Sequence, residues 1–152
     1  MYKYIIAFYI LLFMVTLSSC KEEDPIEPAH EHFDAVGMVL LNSDSTVFLN
    51  IFEGMVQSEN KEINLKINDS TDFYIIKFLD ENGNLIEVPD EEHKTFSWDI
   101  ADHDIFQINF KNENGWFISF KGLNIGTTNV VFKIMHEDHN DFKTPAVPVI
   151  VE

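Results

Sequence analysis

Six histidines stand in this chain, and four of them fall in two short acidic clusters near its opposite ends. His30 and His32 form His-Glu-His, while His136 and His139 lie in Met-His-Glu-Asp-His-Asn-Asp-Phe beside Glu137, Asp138 and Asp141. Neutral imidazole and carboxylate together are the donors of zinc, copper and nickel sites. Two histidines three residues apart reach one ion from a tight turn or from a single helical turn. If the first and last strands of the fold lie side by side, His30 and His32 complete a four-nitrogen set with His136 and His139. Glu137, Asp138 or Asp141 would then supply supplementary oxygens. The zinc-protease motif needs His-Glu-x-x-His, and His136-Glu137-Asp138-His139 is one residue short of it, so no metalloprotease is expected. A solvated acidic turn joining two strands accounts for the same loop residues without any ligand, and it stands beside the metal reading.

Other constellations carry less. His93 in Asp-Glu-Glu-His and His103 in Asp-His-Asp read as surface turns. Asp80-Glu81-Asn82-Gly83-Asn84 places its glycine fourth where a helix-flanked calcium loop requires it sixth, so a hairpin turn is the better reading. Neither a nucleophile elbow nor a glycine-rich phosphate loop nor a dinucleotide fingerprint is present. Carboxylates are too abundant for one pair to be singled out as general acid and base. Trp116, beside Asn114-Gly115, reads as a core aromatic at a hairpin end rather than a sugar-stacking platform. Together these features point to a protein that binds rather than catalyses.

The elements that must position the histidines are strands. Short runs rich in Val, Ile, Phe and Thr recur about every ten residues between Gly, Asn, Asp and Pro, the pattern of an all-β sandwich. Strands are expected at 37–41, 46–52, 62–67, 72–79, 95–100, 106–110, 116–121, 128–134 and 146–151. Alternation marks the core faces: Ile63, Leu65 and Ile67; Phe106, Ile108 and Phe110; Val130, Phe132 and Ile134. Asn82-Gly83 and Asn114-Gly115 are hairpin signals, because a tight turn needs positive φ at its central residues.

Formal charge is −16, with ten lysines and no arginine. A phosphate backbone would be repelled, so nucleic acid is excluded as a partner. Acidity of this kind favours cations and also keeps a surface protein in solution. With a single cysteine, Cys20, no disulfide forms within the chain. Lys3 precedes an apolar run that closes on Leu17-Ser18-Ser19-Cys20, which is the layout of a secretory signal too short to span a bilayer. Those four residues resemble the lipobox of bacterial lipoproteins. The resemblance implies removal of residues 1–19, lipidation of Cys20 and stable anchoring through several acyl chains.

Lys21-Glu22-Glu23-Asp24 resembles the export signal that sends lipoproteins of Bacteroidota to the outer face of the outer membrane. Residues 20–32, acidic and carrying Pro25 and Pro28, then read as a tether reaching on the order of 40 Å. Residues 33–152 are left as one domain.

Within that domain, Trp98-Asp99 ahead of a strand, Gly115, then Gly122-Leu123 and Gly126-Thr127-Thr128 leading into Val130 resemble a bacterial immunoglobulin-like domain. The likeness covers about 62–134, with 146–151 as a closing strand, and departs in the acidic loop 136–143. It implies an antiparallel immunoglobulin-like β-sandwich serving as a spacer, adhesion or binding module, without catalytic residues and with Trp98 in the core. The expectation is a surface-anchored binding lipoprotein whose ligand is zinc or copper and whose partner is an outer-membrane receptor. An adhesion or scaffold module with incidental histidines, contacting a protein or a glycan, is the alternative.

Overall fold

Period-two patterning becomes strand throughout the residues that the computed structural model describes, 32–89, 94–111 and 116–152. The lipobox-like start with Cys20, His30, His93 and the Asn114-Gly115 pair lie outside them. Twelve strands follow in order: β1 (Gly37–Leu41), β2 (Val47–Phe52), β3 (Met55–Val56), β4 (Ile63–Leu65), β5 (Tyr74–Leu79), β6 (Leu85–Ile86), β7 (Lys94–Ile100), β8 (Phe106–Lys111), β9 (Phe117–Gly122), β10 (Gly126–His136), β11 (His139–Lys143) and β12 (Val147–Val151). Among the described residues there is no helix. The nine expected strands are all present. β3 and β6, at two residues each, are too short to show alternation. The stretch expected to be an acidic loop is instead strand on both sides of a turn.

Two sheets form the sandwich. One has the order β3-β2-β1-β5-β9-β8, with β6 also paired to β5; the other runs β11-β10-β12-β4, with β7 along β10. Pairing of named strands is antiparallel except between β4 and β12, which run parallel. An all-antiparallel arrangement is therefore corrected at that edge. A tight hairpin forces antiparallel pairing, but β4 and β12 are joined through the rest of the domain and carry no such constraint.

Between the sheets lies one aromatic-rich core. Met38, Leu40, Ile76, Phe78, Ile118 and Phe120 of the first sheet and Ile63, Val130, Phe132, Ile134, Val147 and Val149 of the second are all fully buried. Complete burial of such side chains contributes roughly 1.5–3 kcal/mol each relative to exposure. Phe132 stacks on Phe96 at 5.9 Å, and Phe78 meets Trp116 edge-on at 6.0 Å. Trp116 is thus core. Trp98 is only half-buried, packed on Phe96 and Phe110 at the β7 edge rather than enclosed.

The expected hairpin at Asn82-Gly83 joins β5 to β6. Asp80 caps it: its Oδ1 accepts from the N–H groups of Asn82 and Asn84, and its Oδ2 from the Asn84 amide. Gly83 takes φ 76°, the left-handed region where glycine carries no Cβ penalty. This turn, the chain entering β1 and the β10–β11 hairpin border one open cleft.

Candidate metal centre

β10 carries eleven residues, and every second one from Thr128 faces inward: Thr128, Val130, Phe132, Ile134 and then His136. His136 is therefore the last residue of a core-facing row, and burial follows from strand parity. Beyond it, Glu137 and Asp138 make a two-residue turn in which Glu137 adopts φ 53°, and the chain returns as β11 with His139 directly opposite His136. Residues opposed in an antiparallel pair hold their Cβ atoms within about 5 Å on one face. The two imidazole centroids are accordingly 5.2 Å apart.

One irregularity makes this pairing possible. Phe142 pairs with the core residue Ile134, but Asn140 pairs with Met135, so Asp141 is an extra residue with no opposite number. Such a bulge shifts strand parity by one and re-aims the side chain that carries it. Without the shift, His139 would share the outward face with Lys143. With it, His139 turns to the side of His136, and the Asp141 carboxylate enters the space between the two rings.

The third imidazole arrives from the other sheet. Residues 32–36 lead into β1; the Phe33 ring packs edge-on against Phe78 at 4.9 Å, and the Val36 N–H donates to the Leu79 carbonyl. The Phe33 N–H donates to Asp141 Oδ2 at 3.0 Å, and His32 Nδ1 lies 3.1 Å from Asp141 Oδ1. His139 Nε2 is 3.2 Å from the same oxygen, and His136 Nδ1 is 3.5 Å from Oδ2. Four donor atoms, one each from His32, His136, His139 and Asp141, all lie within 4.8 Å of one another.

Asp141 is the hub of this group, and its side chain is closed to solvent. Burial alone would push its carboxyl up. The hydrogen bonds from His32 and the Phe33 N–H, with positive charge on His136 and His32, outweigh burial and hold it below the ordinary carboxylate value. An ionised carboxylate ringed by imidazoles is what a divalent ion needs for neutralisation. A tetrahedron with bonds of 2.0–2.1 Å has edges of about 3.4 Å, so four donor atoms within 4.8 Å of one another must draw together to hold an ion, and His32 and His139 face one oxygen of Asp141 while His136 faces the other.

Of the residues expected to converge, His32, His136 and His139 do so, and Asp141 moves from a supplementary oxygen to the centre. Glu137 and Asp138 occupy the exposed turn outside the group, with the Asp138 carboxylate 3.6 Å from the far nitrogen of His139. His103 is exposed in the turn before β8. The expected route to convergence is corrected. β1 lies between β2 and β5 and β12 between β10 and β4, so the first and last strands are not neighbours. Instead the segment ahead of β1 reaches across to the hairpin of the opposite sheet, drawn there by burial of Phe33.

No protein-family model matches this chain, and no curated protein matches it. Among solved structures, the crystal structure of domains 4 and 5 of the S-layer protein SbsC aligns with a TM-score of 0.44 and 12% identity over 75% of this chain and 53% of that one. A structure of domains 5–6 of the same protein aligns at 0.45 and 12%, over 62% and 41%. The chain thus spans about half of the first and less than half of the second. Its assignment as an all-β sandwich follows from its own strand pairing.

Proposed function

We propose that this protein is a non-catalytic binding module that holds one divalent transition-metal ion, zinc or copper, through His32, His136, His139 and Asp141. The observation that carries the reading is the convergence of three imidazoles on one buried carboxylate, with all four donor atoms within 4.8 Å. Nitrogen and oxygen donors without sulfur suit zinc and copper(II). The lipobox-like start supports attachment to the outer membrane through Cys20, and the acidic tether supports exposure at the cell exterior. A module so placed buffers the metal or passes it to an outer-membrane receptor.

A second reading is favoured by the same distances, because 3.1 and 3.2 Å are also hydrogen-bond lengths. In it the cluster pins residues 32–36 to the hairpin without any ion, and the sandwich is an adhesion or scaffold module for a protein or glycan.

Titration of the domain begun after Cys20 with zinc and with copper, at pH 7.5 and pH 5.5, separates the two. Metal binding requires deprotonated imidazole, whose ordinary value is about 6.5, so the first reading expects micromolar or tighter binding that weakens at the lower pH. The His136→Ala/His139→Ala double variant should lose it. Heat-free titrations with both metals would leave the adhesion module standing, and full retention of binding in the double variant would move the metal site elsewhere.

A further inference from the structure

The four donors differ in access. The side chains of Asp141 and His136 are 0% and 5% exposed, against 43% for His139 and 62% for His32. His136 therefore closes the inner side, and any ion enters from the other. On that side His32, His139 and Asp141 form part of the wall of an open cleft of about 730 Å³. Asp34 completes it from the chain entering β1, and Asp80 and Glu81 from the β5–β6 turn. No lysine lines it. Asp34 and Glu81 are exposed carboxylates, free of the hairpin that carries the donors. Asp80 stays charged because its turn hydrogen bonds, led by the Asn84 side chain, favour the ionised form.

A divalent cation crossing this opening is drawn by each carboxylate twice as strongly as a monovalent one, whereas a complex with net negative charge is repelled. Clefts lined by one sign of charge raise association rates for the opposite sign by about ten- to a thousand-fold, and salt removes the effect. Resting on the metal-binding reading above, we propose that this cleft is the loading path of the site and selects the metal as its labile hydrated cation over polycarboxylate complexes of the same ion. Asp34 and Glu81 are steering residues in this scheme: they accelerate arrival, and neither is a ligand. Because they act before coordination, removing their charge slows association and leaves dissociation alone.

The test is stopped-flow association of copper(II) ion with the domain begun after Cys20, in a non-coordinating buffer, read by quenching of tryptophan fluorescence, with equilibrium affinity measured alongside. Raising ionic strength from about 20 to about 300 mM should slow association by about fivefold. Asp34→Asn/Glu81→Gln should slow it by a similar factor at low salt, flatten the salt dependence and leave the dissociation rate unchanged. Supplied with citrate, the metal should load at a rate set by the free cation alone, whereas Asp34→Lys/Glu81→Lys should load directly from the anionic complex. Tight binding whose association ignores salt and both variants, or direct loading of the unaltered protein from the citrate complex, overturns the loading path while sparing the site. Failure of copper and zinc to bind at equilibrium overturns both.

Discussion

His32 Nδ1 meets Asp141 Oδ1 at 3.1 Å although 109 positions separate the two residues. The other three donors lie within six residues of one hairpin, so among the described donors His32 is the one whose arrival depends on how the two sheets are joined. His32→Ala should leave a three-donor hairpin site. Zinc affinity is expected to fall by at least about 10- to 100-fold, the loss that follows removal of even a group that only supports a ligand, without being abolished. Competition against a chromophoric chelator measures it. Affinity equal to that of the unaltered protein would assign the site to the hairpin alone.

Asp141 has a structural duty as well as a ligand's. Its Oδ2 is the acceptor for the Phe33 N–H, so Asp141→Ala leaves that donor unsatisfied at a cost of about 1–3 kcal/mol in the metal-free protein. Asp141→Asn keeps an acceptor oxygen and should recover most of that loss, yet it removes the charge and should not restore zinc binding. Urea unfolding of both variants, paired with zinc titration, separates the roles. Equal stability of the two variants would show that the Phe33 bond contributes nothing measurable.

Phe78 holds both halves of the site from behind. Its ring is edge-on to Phe33 at 4.9 Å and to Phe142 at 5.6 Å, and these are the neighbours in sequence of His32 and Asp141. Phe78→Leu and Phe132→Leu each replace a fully buried ring and should each cost about 1–3 kcal/mol. Only the first should also weaken zinc binding, by about tenfold, because it loosens the two segments against each other. Matched losses of affinity in both variants would make the effect one of general stability.

Much of this was legible in advance, for reasons that can be stated residue by residue. Val130, Phe132 and Ile134 announced the inward face of β10, and one more step of two reaches His136, a step that the acidic surroundings of the histidine concealed. The turn Glu137-Asp138 carries none of the Asn-Gly chemistry that flagged Asn82-Gly83, so the hairpin read as a loop. Parity failed beyond it, since a bulge at Asp141 is set by register against Met135 and leaves no local mark. The convergence of His32 was visible only as a possibility, because Phe33 finds Phe78 through tertiary packing. The sequence did carry one usable sign of the hub. Asp141 directly precedes Phe142, which ties its backbone to the core, although only the bulge turns its carboxylate inward.

The Asp80 turn gives a pH signature separate from the metal. Its carboxylate accepts from the Asn84 side chain and from the N–H groups of Asn84 and Asn82, which outweigh the opposing effect of burial and lower its titration below the ordinary 3.8. A lowered folded value means that the unfolded chain takes up the proton first. The stabilisation is then present above about pH 3.8 and is lost as pH falls through the folded value. Carboxyl carbon NMR should find Asp80 titrating below the free residue. Asp80→Asn should be less stable than the unaltered protein at pH 6, with the difference shrinking below pH 3.8 as both side chains become neutral. A difference that stays constant down to pH 2 would mean that the amide fails the turn by shape, and that the charge of Asp80 has no part in holding it.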